Sequence, residues 1–169
     1  MKKIIMALAA SVATISLTFS CEGVSADKDM TPPEILPIGD YASPLNCQGF
    51  VRGSVMQFAY LFTDNVELGS FNIEVHNNFD YHTHSTEAGE CESDHDHDHG
   101  HGESPVNPWV FNRDYTIPAG STSYEARLEI PIPEDVDEGT YHFMIRVTDT
   151  SGWQQLRSVG IRILEEGED

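Results

Sequence analysis

The sequence predicts an all-β protein, a single antiparallel β-sandwich of about seven strands, and three observations predict it. Outside the first 20 residues, no stretch of useful length carries the apolar period of a helix. Short runs of alternating apolar and polar residues recur instead, separated by clusters of Gly, Pro, Asn and Asp. One long, mostly polar segment, residues 77–108, interrupts these runs and is rich in His and Asp.

The first half of the predicted domain contributes three strands. Residues 34–38 form a short strand after two prolines. Residues 55–63 are an apolar, aromatic run that is typical of a buried central strand, and Asp64 and Asn65 then make a turn. Residues 68–76 alternate, so their apolar side chains should face the core and their polar ones should point outward.

Four more strands are predicted after the long loop. Residues 109–117 form one, and residues 124–132 alternate again. Residues 139–149 carry the strongest alternation, and residues 156–164 return after a Thr-Ser-Gly turn. Seven strands that end in a hairpin fit an immunoglobulin-like sandwich. Two interpretations of Tyr141 are then open: it is either the tyrosine corner of such a fold or simply a core aromatic residue.

The N-terminus carries a predicted lipoprotein signal peptide, residues 1–20. Lys2 and Lys3 precede an uncharged apolar stretch that is too short for a comfortable membrane span. Ser20 then places a small residue directly before Cys21, which resembles a bacterial lipobox. We therefore expect lipidation of Cys21 and anchoring to the outer membrane, on its periplasmic or its outer face.

The rest of the chain divides into a predicted tether at residues 21–33, the sandwich domain at 34–165 with its loop at 77–108, and an acidic tail at 166–169. The formal net charge is −19. A chain so acidic should not bind nucleic acid, because the phosphates would repel it. Metal cations and basic proteins are its natural partners.

The remaining two cysteines, Cys47 and Cys91, allow two interpretations. An exported chain meets oxidising conditions, so the two residues can form a disulfide. Alternatively, the Cys91 thiolate is a metal ligand, because it lies within the histidine-rich loop.

All eight histidines lie after residue 21, and seven of them fall between residues 76 and 101. Four of the seven alternate with Asp or Gly: His95, His97, His99 and His101. Imidazole suits zinc, copper and nickel, and the interleaved carboxylates add negative charge. We expect this low-complexity run to be an auxiliary, low-affinity metal collector. The alternative is a merely solvated polar loop.

His76 and His142 are the candidates for a defined metal site. In an immunoglobulin-like sandwich the third and sixth strands are antiparallel neighbours. His76 ends the third predicted strand and His142 begins the sixth, so the two should lie side by side. Both should point outward, because their sequence neighbours take the core face. Directly opposed residues have Cβ atoms ~5 Å apart, a span that two ligands of one ion can share.

The loop that follows His76 offers further ligands. His82 and His84 are spaced His-x-His and can fold back to complete a tetrahedral zinc site. Asp80 or Glu74 could substitute as an oxygen ligand. Met144 has the same outward direction as His142, which leaves copper as the alternative metal.

A longer motif surrounds these histidines. Residues 76–84 read His-Asn-Asn-Phe-Asp-Tyr-His-Thr-His, and residues 62–68 read Phe-Thr-Asp-Asn-Val-Glu-Leu. This combination resembles the Bacteroidota lipoprotein family described as domain of unknown function 4625, over most of residues 31–165. The resemblance implies a lipid-anchored, immunoglobulin-like domain associated with metal-linked transport at the outer membrane.

The predicted function is that of an envelope lipoprotein that binds zinc, or copper as the alternative, for capture, buffering or delivery to an outer-membrane transporter. One alternative is an adhesion or interaction module without metal. A second is a copper-binding or superoxide-dismutase-like protein, since that enzyme is also a β-sandwich with a His-x-His pair. Its downstream His and Asp pattern has no match here, and no residue stands out as a general base. We therefore expect no enzymatic activity.

Overall fold

Alternation of apolar and polar side chains produces eight strands in the computed structural model, which describes residues 28–79, 91 and 105–167. The strands are β1 (Glu34–Pro37), β2 (Gln48–Val51), β3 (Val55–Thr63), β4 (Leu68–Asn77), β5 (Phe111–Thr116), β6 (Ser123–Pro131), β7 (Gly139–Asp149) and β8 (Gln154–Leu164). A 3-10 turn at Gly39–Tyr41 follows β1. Within the described residues, no helix is long and apolar enough to cross a membrane.

The strands form two sheets. One has three strands in the order β1-β3-β6, and the other has five in the order β2-β8-β7-β4-β5. All pairings are antiparallel except that of β2 with β8. The predicted all-β, immunoglobulin-like sandwich is therefore confirmed, with two sheets and an additional short edge strand.

Two details differ from the sequence-based prediction. Strand β2 was not predicted, because only four residues pair and none of them is fully buried. The strand predicted at residues 109–117 is shorter and begins at Phe111. Trp109 lies outside it because its N–H donates to the Tyr141 hydroxyl, at 3.2 Å, instead of to a neighbouring strand.

The core lies between the two sheets and is built from the side chains that the alternation places inward. The inward positions of β7 that were predicted from the sequence are all fully buried. On β3, the aromatic run supplies the opposite wall, and the ring of Phe58 lies 5.9 Å from that of Phe143 and 6.4 Å from that of Phe71. Each fully buried large apolar side chain stabilises the fold by ~1.5–3 kcal/mol.

Tyr141 is both a core aromatic residue and a tyrosine corner. Its ring is fully buried, and its hydroxyl donates to the carbonyl oxygen of Asp137, four residues upstream, at 2.6 Å. Burial is the main reason why the pKa of Tyr141 is raised above its ordinary value. The hydroxyl thereby fixes the turn before β7, which is the strand that carries His142.

The predicted segments at the ends of the chain are only partly described. The predicted signal peptide at residues 1–20, with Cys21 after it, lies outside the described residues. The predicted tether is described from residue 28, and the predicted loop at 77–108 is described at its two ends and at Cys91.

Candidate metal centre

The candidate metal centre begins with two histidines on neighbouring strands. His76 on β4 pairs directly with His142 on β7, which confirms the predicted adjacency. Their ring centres are 5.4 Å apart, with the ring planes inclined at 51°. The flanking residues Val75, Tyr141 and Phe143 are fully buried in the core, so both histidines point to the outer face of the five-stranded sheet.

The two histidines differ in exposure. The side chain of His76 is 23% exposed, whereas His142 is only 4% exposed although it points away from the core. Beside His142 on β8 lies Gly160, which adds no side chain between the histidine and the edge strand. The segment before β2 forms two hydrogen bonds with the backbone of Gly160. The Gly160 N–H donates to the Asn46 side-chain oxygen at 2.9 Å, and the Gly160 carbonyl accepts the Cys47 N–H at 2.7 Å.

Two further outward side chains flank the pair. Glu74 lies one outward position along β4 from His76, and its carboxylate oxygen Oε1 is 3.3 Å from Nδ1 of that imidazole. A carboxylate beside Nδ1 favours Nε2 as the ligand atom of that ring. Met144 pairs with Glu74 across the strands and is 9% exposed.

A disulfide joins Cys47 to Cys91, with their Cα atoms 5.2 Å apart. Of the two interpretations of these cysteines, the structure therefore shows the disulfide, so Cys91 has no thiolate to offer a metal. Since Cys47 bonds to Gly160, and Gly160 neighbours His142, the disulfide holds the middle of the histidine-rich loop close to the histidine pair.

Both ends of the histidine-rich loop are also held against the start of β7. At the first end, the Asn78 N–H donates to the Thr140 carbonyl at 2.8 Å, and the Phe79 ring packs edge-on against Tyr141 at 5.3 Å. Gly139 makes room for that ring, because a Cβ at this position would lie 2.8 Å from a Phe79 ring carbon.

At the second end of the loop, the Asp137 carboxylate accepts the N–H groups of Val106 and Asn107, each at 2.8 Å. The Asn107 side chain donates in turn to the carbonyl of Asp135 at 2.7 Å. The loop therefore has three anchors, one at each end and one at its disulfide, and the histidine pair lies among them.

Comparison with known proteins supports the resemblance seen in the sequence. The family model described as Domain of unknown function (DUF4625) matches residues 19–164, which is most of the chain. The chain belongs to the DUF4625 family. No curated protein matches it. Among solved structures it is similar to the GspB Siglec domain, with 13% identity and a TM-score of 0.42, over 83% of this chain and 61% of that one.

The other predicted ligands of this DUF4625 chain belong to the histidine-rich loop. His82, His84 and Asp80, which were expected to complete the site, lie outside the described residues. The same holds for the auxiliary run of His95, His97, His99 and His101. The ligand roles of all these residues remain predictions.

A second cluster of potential ligands lies at the opposite end of the sheet, and our sequence reasoning missed it. Asp29, Asp64 and Asp149 each place one carboxylate oxygen within 4.8 Å of the other two. Asp29 precedes β1, Asp64 follows β3, and Asp149 ends β7. Among the described residues, this is the group in which three potential metal ligands meet.

One signal for the acidic cluster was present in the sequence but was too weak to use. The predicted turn at Asp64 and Asn65 carries two side chains with oxygen ligands, yet two residues are far from a complete calcium ligand set. The other two aspartates lie distant in sequence, so only the strand order shows that they meet. The Asn65 side-chain amide, which donates to the Asp29 carboxylate at 3.0 Å, is the main cause that lowers the pKa of that carboxyl group.

Proposed function

We propose that this protein is an envelope lipoprotein that binds a transition metal, zinc in the first place and copper as the alternative. It captures or buffers the ion, or delivers it to a transporter in the outer membrane. The lipid anchor is Cys21. The observation that carries the metal proposal is the spacing of the His76 and His142 rings.

The ring spacing suits two ligands of one zinc ion. A zinc–nitrogen bond of ~2.05 Å places the centre of a ligating imidazole ~3.2 Å from the metal. Two such rings at the tetrahedral angle then have centres ~5.2 Å apart. The observed separation of 5.4 Å between the His76 and His142 ring centres is close to this value.

The surroundings of the pair support a metal ligand role. The Glu74 carboxylate lies beside Nδ1 of His76 and leaves Nε2 of that ring for a metal ion. The formal net charge of −19 attracts cations to the whole molecule. The paired histidines also lie on adjacent strands of one sheet, which restricts their geometry before any metal binds.

The remaining ligands are assigned to the histidine-rich loop. Phe79 is fixed against Tyr141, the residue directly before His142. From Phe79 the chain needs to extend three residues to reach His82 and five to reach His84, spans of up to ~10 Å and ~17 Å. Both histidines can therefore return to the strand pair, and together they would complete four-coordinate zinc.

The test is zinc analysis and zinc titration of the purified full-length protein and two sets of variants. The first set replaces His76 and His142 by Gln, which keeps most of the buried volume. The second replaces the four histidines of the auxiliary run by Asn and leaves the Cys47–Cys91 disulfide intact. Deletion of the loop is a poorer test, because it would remove Cys91 and its anchor. A matched control, Asn72→Ala with Arg146→Ala, changes another opposed pair on the same two strands.

We expect the strand variants to lose the tight zinc ion, with affinity reduced at least ~100-fold, because two side chains that bind the ion directly are removed. The run variants should bind fewer weak ions and keep the tight one. If only the run variants lose zinc, the strand site is wrong and the loop alone binds metal. If neither set does, the metal proposal fails and the interaction module is favoured.

A further inference from the structure

Three aspartates meet at the end of the sandwich that is remote from the histidine pair. Asp64 lies in the β3–β4 turn, Asp149 ends β7, and Asp29 belongs to the segment before β1. One carboxylate oxygen of each lies within 4.8 Å of the other two. Asp149 lies seven positions after His142 along β7, a distance of ~23 Å in a strand. The two sites are therefore independent in space.

The backbone orients two of these carboxylates in the same way. Oδ1 of Asp64 accepts the N–H groups of Val66 at 2.8 Å and Glu67 at 2.7 Å. Oδ1 of Asp149 accepts the Trp153 N–H at 2.8 Å. Each side chain is thus held by one oxygen, and the second oxygen is left for another partner.

The Asp29 carboxylate, which comes from a different part of the chain, is also held by hydrogen bonds to one of its oxygens. Its Oδ1 accepts the Thr31 N–H at 3.1 Å and the Asn65 side-chain amide at 3.0 Å. Its carbonyl oxygen accepts the Trp153 indole N–H at 2.9 Å. These contacts fix the segment before β1 to the turns that carry the other two aspartates.

The second oxygen of each carboxylate has no hydrogen-bond partner among residues 28–79, 91 and 105–167. Oδ2 of Asp29, Asp64 and Asp149 is buried from water and accepts no hydrogen bond. Asp149 is itself only 4% exposed. Within the described residues, no Lys, Arg or His side chain forms an ion pair with any of the three. A buried carboxylate such as that of Asp149 is costly without a counter-charge, and three carboxylates close together repel each other.

We propose that Asp29, Asp64 and Asp149 form a binding site for a calcium ion. Calcium is a hard cation that takes oxygen ligands at 2.3–2.6 Å, so oxygens on opposite sides of the ion are up to ~5 Å apart. The observed limit of 4.8 Å fits that span. Magnesium demands near-ideal octahedral geometry and keeps most of its water ligands, and zinc prefers nitrogen and sulfur. Water and backbone carbonyl oxygens supply the remaining ligands.

The ion would fasten the segment before β1 to the sandwich. Asp29 is the ligand that comes from that segment, and the other two come from the turns at the end of the sheet. Calcium binding therefore adds a cross-link between residues that are remote in sequence. The orientation of the segment before β1 relative to the sandwich would then depend on calcium.

Calcium titration of the metal-depleted, full-length protein tests this proposal. Calorimetry should give one site with a Kd of ~0.1–1 mM, the range of extracellular calcium modules. Saturating calcium should raise the thermal midpoint by roughly 5–10 °C. Trp153 fluorescence should change with the same Kd, because the indole is bonded to Asp29, and a Trp153→Phe variant should lack this change while still binding the ion.

The variants Asp29→Asn, Asp64→Asn and Asp149→Asn each remove one negative ligand, and Asp135→Asn is the control with an exposed carboxylate. Each of the first three should weaken calcium binding at least ~10-fold, whereas the control should not. Without metal, the Asp64 and Asp149 variants should be as stable as the wild type or more so, because like-charge repulsion is relieved.

Calcium binding that is unchanged in all three variants would overturn the proposal, since the ion would then bind elsewhere, for example in the histidine-rich loop. The same holds if magnesium raises the midpoint as much as calcium does. Equal loss of stability with and without calcium would also overturn it, because the carboxylates would then have only a structural role. Zinc titration of these variants should match the wild type, which separates this result from a failure of the zinc proposal.

Discussion

Removing the Cys47–Cys91 disulfide should destabilise the domain by about 4 kcal/mol. The perturbation is the double variant Cys47→Ala/Cys91→Ala. The bond closes a loop with a sequence separation of 44. The loop-closure relation for that length gives an entropy of about 13 cal/mol/K, or ~4 kcal/mol at 25 °C. Alanine is the suitable replacement at residue 91, which is buried, because serine would bury a hydroxyl group.

Alanine is also the suitable replacement at residue 47. This residue has a φ of 63°, a left-handed conformation that costs alanine about as much as cysteine. The conformational cost therefore cancels between the variant and the wild type, and the measured difference reports the cross-link. Glycine would relieve the strain and hide part of the effect.

Urea denaturation at equilibrium, followed by circular dichroism, is the assay. With a slope of ~2 kcal/mol/M, the midpoint of the double variant should fall by about 2 M, and the slope should rise because the unfolded chain is more expanded. Oxidised wild type is the reference, and reduced wild type is the second comparison. Equal midpoints for variant and oxidised wild type would refute the reasoning, and so would two free thiols in the native protein.

Three further predictions concern the turn before β7 and the buried tyrosines. Tyr141→Phe should lower the free energy of unfolding by ~1–3 kcal/mol in urea, because the partly buried backbone carbonyl of Asp137 loses its donor. Burial raises the pKa of Tyr60 and Tyr141, so their stabilisation is complete below pH ~10 and is lost as the pH rises through the folded pKa values. The free energy of unfolding measured in urea between pH 9 and 12 should therefore fall, by up to ~1.4 kcal/mol per pH unit for each tyrosine, and a flat profile would contradict this. Gly139→Ala should cost at least ~2 kcal/mol, because φ is +127° and the new methyl group meets the Phe79 ring, whereas Gly120→Ala, with φ +78° and open space, should cost only ~1 kcal/mol.

Most of the fold could be predicted because its signals are local. Alternation along 68–76 and 139–149 fixes which side chains face the core, and a shift by one residue would expose all of them. Once the fold class is known, the order of strands follows, and with it the pairing of His76 with His142. The histidine pair was predictable because a strand has only two faces and the neighbours of each histidine are strongly apolar.

The missed features depend on contacts between segments that are distant in sequence. Strand β2 is held by a parallel pairing with β8 at the sheet edge, and its sequence contains a glycine and little alternation. The burial of His142 was equally hidden, because alternation shows which face a residue takes and does not show what covers that face. Covering of the outer face is a property of the tertiary fold.

The acidic cluster shows the same limit more sharply. Asp64 and Asp149 each look like an ordinary turn aspartate, whose side chain accepts nearby N–H groups. Only the pairing of Leu68 with Asp149 brings the two turns together, and Asp29 then joins from a segment with no strand pattern. What identifies the cluster is the buried second oxygen on each carboxylate, and that property cannot be read from sequence.

The chemistry of the two clusters would suit different metals. His76 and His142 offer imidazole nitrogen, which is a borderline ligand and suits zinc or copper. The three aspartates offer only charged oxygen, which suits a hard cation such as calcium. Because the clusters lie at opposite ends of β4 and β7, one ion need not displace the other. The calcium site would act on the segment towards the N-terminus, and the histidine site would face the loop that gathers the transition metal. The same two strands would thereby hold a structural ion at one end and a transferable ion at the other.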